Sequence, residues 1–230
     1  MIGLRGQLSS GVVFLFAAIG AAFLAPIASE TFSIQGSDSV VFWLLVVAIY
    51  TLILAAALTL GKIQLLRTLF DPRAAFVGQY VDTSERSGTI FVGIFSITFD
   101  VLEQFYTVEG ITIDANAPER PSGSWSSTTL FFDVAGHAVR YIYTGIGEDS
   151  LEPGTPSSRL EGFAAVDFLD KSYLHGKGRF QDLDEHGLFI ETTIERITPA
   201  LVRRRTGKRL SKLTNYNEMK ALAVSYAKSR

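Results

Sequence analysis

Cysteine is absent from the 230-residue chain, which excludes disulfides and thiolate metal sites. Histidine is scarce too: His137, His175 and His186 never form the HxxxH or HExxH spacing of a zinc centre. No metal and no cofactor are expected. The nucleophile elbow GxSxG and the phosphate loop GxxxxGK followed by Ser or Thr are both missing. The acidic pairs Glu148–Asp149 and Asp184–Glu185 sit in turn-like sequence, where carboxylates are solvated and not poised for acid–base work. The sequence does not ask for an enzyme.

One absence is local. From Val40 to Leu60 the chain reads VVFWLLVVAIYTLILAAALTL, twenty-one residues without a single charge. At about 1.5 Å of rise per residue, roughly 20 apolar residues cross a hydrocarbon core about 30 Å thick. A helix buried in a soluble domain normally keeps one polar stripe, and this run has none. A transmembrane helix is expected here.

Gly11–Ile27, GVVFLFAAIGAAFLAPI, is a second apolar run, just long enough to span once its neighbours are added. A cleaved signal peptide is the competing reading, since Arg5 precedes the run. The full-length span that follows after only about a dozen residues favours a helical hairpin. The small residues Ala18, Gly20, Ala21 and Ala25 let helix backbones approach closely, within the pair or between copies of the chain, and a homo-oligomer is expected. Basic residues flank the hairpin at Arg5 and at Lys62, Arg67 and Arg73, whereas the intervening loop holds Glu30 and Asp38 but neither Lys nor Arg. The positive-inside bias therefore predicts a multi-pass protein with both termini in the cytoplasm.

From residue 76 the character changes. Short runs rich in Val, Ile, Phe, Tyr and Thr alternate with Gly-, Pro-, Asp- and Ser-rich turns. Strands are predicted near 76–82, 89–99, 105–114, 124–134, 138–147, 160–169, 174–183 and 188–197. Regular short spacing means an antiparallel meander, and eight strands suffice to close a small barrel. Period-two alternation sets Gly162, Ala164, Val166 and Phe168 against Glu161 and Asp167, and Leu188, Ile190, Thr192, Ile194 and Arg196 against Glu191 and Glu195. The expected organisation is a helical hairpin with linker over 1–75, a ligand-sensing barrel over 76–197 and a basic tail over 198–230.

That tail contrasts with the barrel in charge. Residues 76–197 hold 8 Lys and Arg against 19 Asp and Glu, while residues 198–230 hold 9 against 1. A helix is predicted over Asn217–Lys228, capped by Asn215 or Asn217. The basic tail is expected to lie against acidic headgroups or the acidic barrel wall, in preference to a DNA or RNA polymer.

Candidate binding residues come from the strands. Tyr80, Trp125, Tyr141 and Tyr143 offer faces for stacking on bases, and the strand cations Arg140 and Arg196 offer guanidinium forks for phosphate. A structural role stands beside each. Gly78-Gln79-Tyr80 looks like the glycine-x-aromatic opening of small lipocalin-type barrels, where a last-strand Arg, here Arg196, packs across the first-strand aromatic. Arg140 and Tyr141 alternate, so the tyrosines point inward if Arg140 points out.

Two N-terminal spans followed at once by an eight-stranded, lipocalin-like barrel resemble a bacterial family of membrane effectors in cyclic-oligonucleotide (CBASS) anti-phage signalling. This is the SMODS-associated two-transmembrane, β-strand-rich domain, also called CD-NTase-associated protein fifteen. The resemblance rests on that layout with Gly78–Tyr80, Gly123–Trp125, Arg140–Tyr143 and Gly176-Lys177-Gly178-Arg179-Phe180. It implies that the barrel binds a cyclic dinucleotide and that the helices then assemble and disrupt the bacterial inner membrane, killing the infected cell. The residues alone also leave open a membrane-anchored barrel for a lipid or other apolar ligand, or a barrel that only scaffolds helix assembly.

Overall fold

The computed structural model describes residues 17–28, 30–31, 40–62, 64–86, 88–101, 103–119, 121–147, 159–182, 189–209 and 213–228. Two compact units emerge, Met1–Ala74 with Phe99–Phe105, and Ala75–Thr98 with Tyr106–Arg230.

The first unit is helical. Residues 17–28 form α1, Val40–Lys62 form α2 and Gln64–Phe70 form α3. Ala17, Ala21 and Ala25 are buried, four residues apart along one face of α1, while Ala18 is exposed. Gly20 faces α2 of the same chain, since a Cβ there would lie 3.1 Å from Ile53 Cδ1. Gly20 thus serves packing inside the chain. On α2 none of the described side chains is buried, and Val40, Trp43, Leu44, Val47 and Leu52 are all largely exposed. Thr51 and Thr59 turn their hydroxyls back onto the carbonyls of Val47 (2.8 Å) and Ala55 (2.7 Å). The side chains of Ala57, Leu58 and residues 60–62 lie outside the description, and among the described residues no helix is long and apolar enough to cross a membrane. The same unit includes the Phe99–Phe105 hairpin tip, where the Arg67 guanidinium sits 4.3 Å from the Phe99 ring centroid.

The second unit is a closed antiparallel barrel in simple meander order. Its strands are β1 (Gly78–Arg86), β2 (Thr89–Asp100), β3 (Phe105–Asp114), β4 (Gly123–Asp133), β5 (Ala138–Gly147), β6 (Arg159–Phe168), β7 (His175–Asp182) and β8 (Ile190–Arg196). Closure comes from β1 and β8, which pair Tyr80 with Arg196 and Asp82 with Ile194. β3 and β5 occupy the predicted spans, whereas β1 starts at Gly78 because Pro72–Phe76 winds into a 3-10 turn first. Inward positions alternate as the sequence implies, and Tyr80, Phe95, Val139, Tyr141, Tyr143, Ala164, Val166, Phe168 and Ile194 form one buried cluster with Phe76.

The tail holds two helices where one was expected. α4 (Pro199–Thr206) starts at Thr198, whose side chain accepts from Leu201 N (3.2 Å), with Pro199 in the first turn where its missing N–H costs nothing. It stops at Gly207, left-handed at φ 73°. α5 (Tyr216–Ala227) is capped by Asn215, whose side chain accepts from Glu218 N at 3.0 Å. Leu201, Val202, Leu213, Leu222, Ala223 and Tyr226 bury themselves on Val81, Val92, Ile94 and Ile113, the outward residues of β1–β3. The basic tail therefore lies on the barrel wall, held by apolar contact.

Candidate functional site

Period-two geometry decides which candidates can share a site. Register pairing sets Tyr143 and Tyr141 inward on β5, with Arg140 and Ile142 outward between them. Tyr141 and Tyr143 are 5% and 6% exposed, and Arg140 instead pairs with Asp167 across the outer wall of β6. Arg140 also donates to the carbonyls of Val139 (3.1 Å) and Val166 (3.0 Å), so its fork is already occupied. A bulge between Ser127 and Thr129 on β4 keeps Trp125 and Leu130 on the inner face on either side of it.

Trp125, Tyr141 and Tyr143 come together. The Trp125 indole stacks on Tyr141 with centroids 5.6 Å apart and an interplanar angle of 14°, and Tyr143 lies 5.6 Å away, tilted. Trp125 fits flat against the sheet because its cross-strand neighbours on both sides are glycines. A Cβ on Gly110 would lie 2.5 Å from Trp125 Cζ2, and one on Gly145 would lie 2.7 Å from Trp125 Cβ. Tyr143 lies over Gly162 in the same way. Large side chains over glycines fill a small barrel without bulging its walls. A base inserted between two rings needs them roughly 7 Å apart, twice the van der Waals contact of carbon atoms. The trio is too close for that, so these rings serve each other.

Tyr80 and Arg196 meet elsewhere, at the end where the chain enters the barrel. Tyr80 is fully buried, stacks on Phe95 (5.3 Å) and donates its hydroxyl to Phe76 O at 2.7 Å. Arg196 spreads over Gly78, donates to the carbonyls of Ala75 (3.3 Å) and Val77, and has its guanidinium 5.7 Å from the Tyr80 ring centroid. Phe76, Phe132, Phe168 and Tyr173 complete an aromatic plug, with Phe76 and Tyr173 4.4 Å apart. Here the structural role of Tyr80 and Arg196 prevails. Burial pushes the Tyr80 and Tyr141 phenols well above their ordinary range, so both stay neutral hydrogen-bonding groups.

Two inward polar residues, Asp82 and Ser84, went unremarked in the sequence, and Thr192 lies by them on the face its alternation gave. Asp82 alternates with Tyr80 on β1 and fits beneath Gly93, whose N–H donates to it at 3.3 Å, while Ser84 and Thr192 are buried nearby in the same two strands. The Val-Asp-Thr-Ser alternation after an inward Tyr80 carried that signal. Among strand cations with described side chains, Lys177 and Arg179 alternate outward with Arg140, and only Arg196 turns inward.

The outer wall offers another arrangement. A groove of about 750 Å³ runs over β2–β5, lined by Ile94, Ser96, Glu109, Ile111, Ser124, Ser126, Thr144, Ile146 and Met219, with Trp125 between Gly110 and Gly145 at its floor. Of the four aromatic candidates only Trp125 is not buried, and it is the one that lines the groove. Four hydroxyls, an aromatic edge and apolar walls within a volume of this size suit a drug- or nucleotide-sized molecule. No family model, no curated protein and no solved structure matches this chain.

Proposed function

We propose that the chain is a membrane-anchored barrel effector of the kind it resembles, binding a cyclic dinucleotide at the barrel and answering through its N-terminal helices. Support for the anchor comes from α2. Its first seventeen residues, Val40–Ala56, cover roughly 25 Å, carry no charge and bury none of their side chains, and a surface that apolar needs lipid or a protein to cover it. The hydroxyls of Thr51 and Thr59 fold back onto the helix backbone, which lowers their cost on an apolar surface. This is the observation that carries the reading.

The outer groove at Trp125 is the binding place we favour over the packed interior. Serine and threonine hydroxyls, with the half-buried backbone of Gly110 and Gly145, can hold a ribose-phosphate ring against the outer face of the sheet. Assembly of several copies in the inner membrane then follows binding. The full chain in detergent, titrated with a panel of cyclic dinucleotides, should melt higher with at least one of them. Ser126→Leu, which removes a groove hydroxyl and pushes an apolar side chain into the groove, should weaken that ligand roughly tenfold, equivalent to about 1.4 kcal/mol. No shift with any member of the panel overturns the nucleotide reading. One observation favours a second reading: an interior filled by mutually packed aromatics suits a barrel that only scaffolds helix assembly, and a silent panel would leave that standing.

A further inference from the structure

Neutralising the acidic barrel is the simplest use for a basic tail, but the side chains are not arranged for it. α4 turns Leu201 and Val202 onto the barrel, while Arg203 and Arg204 are exposed, and beyond the Gly207 turn Lys208 and Arg209 are exposed as well. Among the described residues only a loose pairing ties this group to the wall, Arg204 to Glu195 at 3.8 Å, and the Arg204 side chain is still 66% exposed. Arg205 does fold inward, 4.1 Å from the Tyr226 ring centroid. Cations at a helix C-terminus offset the macrodipole, which accounts for the last turn of α4 but not for Lys208 and Arg209 past the cap. The patch also has a definite address. α4 follows β8 directly, and β8 ends beside the start of β1, where Arg196 reaches the carbonyls of Ala75 and Val77. By chain connectivity this is the end of the barrel that receives the segment from the N-terminal helices.

We propose that the exposed basic face of α4 and its following turn, Arg203, Arg204, Lys208 and Arg209, is a docking surface for the anionic headgroups of a lipid bilayer. The inference rests on the membrane-anchored reading and adds to it a second, electrostatic contact. Each Lys or Arg held at an anionic leaflet stabilises the docked state enough that removing one lowers its population roughly fivefold, and the contact fades within about a Debye length as salt is added. The lack of cysteine allows a single dye on an Ala200→Cys variant of the full chain, an exposed position on α4.

The labelled protein is reconstituted into phosphatidylcholine vesicles with and without phosphatidylglycerol, and energy transfer to a headgroup acceptor is read. Transfer should be high only with phosphatidylglycerol, fall in high salt, and fall in the variant with all four cations changed to Glu. Lys208→Gln with Arg209→Gln, both outside the helix, should give an intermediate value and guards against misfolding of the fourfold variant. Equal transfer in both lipids, with the protein still floating with the vesicles, overturns the docking surface and leaves the anchor intact. Failure to float overturns both. Single-stranded RNA bound by the full chain in detergent and lost in the fourfold variant, without lipid dependence, would assign the patch to nucleic acid and overturn the proposal.

Discussion

Gly110 shows what a single residue contributes to this barrel. Its missing Cβ is the space the Trp125 indole occupies, with Cζ2 at 2.5 Å and Phe95 Cβ at 2.9 Å from where that atom would be. Neither neighbour can retreat easily, because Phe95 is buried and Trp125 is stacked on Tyr141. Gly110→Ala should therefore destabilise the chain by about 1–3 kcal/mol, the usual cost of overpacking a filled core. The same substitution made in a Trp125→Leu background should cost markedly less, because the smaller side chain leaves room. Denaturant unfolding of the four chains of this cycle measures the difference, and equal costs in both backgrounds would mean that the glycine is not there for the tryptophan.

At the scale of elements, α5 carries a reciprocal cap with a pH signature. Asn215 accepts from Glu218 N, and the Glu218 carboxylate accepts from Thr214 N at 2.7 Å and from its hydroxyl at 3.2 Å. These bonds, the Thr214 amide first, hold the Glu218 carboxyl below its ordinary value of 4.5. A lowered folded value means that the contribution is complete above 4.5 and is lost as pH falls through the lowered value. Amide exchange at Thr214, corrected for intrinsic rates, should accelerate on that descent, and Glu218→Gln should remove the pH dependence. Asn215→Ala should weaken the cap by about 1 kcal/mol at neutral pH.

The elements also show what could be read beforehand. The strands were legible because alternation and turn residues agree along the chain, as in β6, where Gly162, Ala164, Val166 and Phe168 do line the interior. α4 was not, because three consecutive arginines mask its short apolar face; only Thr198-Pro199 marked its start. The site was legible in part. Alternation separated Arg140 from the tyrosines, but that Trp125 and Tyr141 would pack on each other depends on strand register, which no local pattern states. The outer groove depends on α5 lying across the wall, a tertiary fact that its sequence does not carry.

At the scale of the whole molecule, the chain carries a helix whose first seventeen residues are uncharged and bury none of their side chains, and a barrel whose last strand is followed by an exposed basic patch. Its output should depend on the close approach of α1 and α2. Gly20 lies against Ile53, so Gly20→Ile should disturb that pair while leaving ligand binding by the barrel unchanged. The most direct test is dye release from vesicles holding the reconstituted full chain. The account predicts that dye escapes when a cyclic dinucleotide that raises the melting temperature is added, and that vesicles with the Gly20→Ile protein bind the same ligand but stay sealed. Vesicles that remain sealed with the unaltered chain and saturating ligand, or that leak equally without ligand, would contradict it.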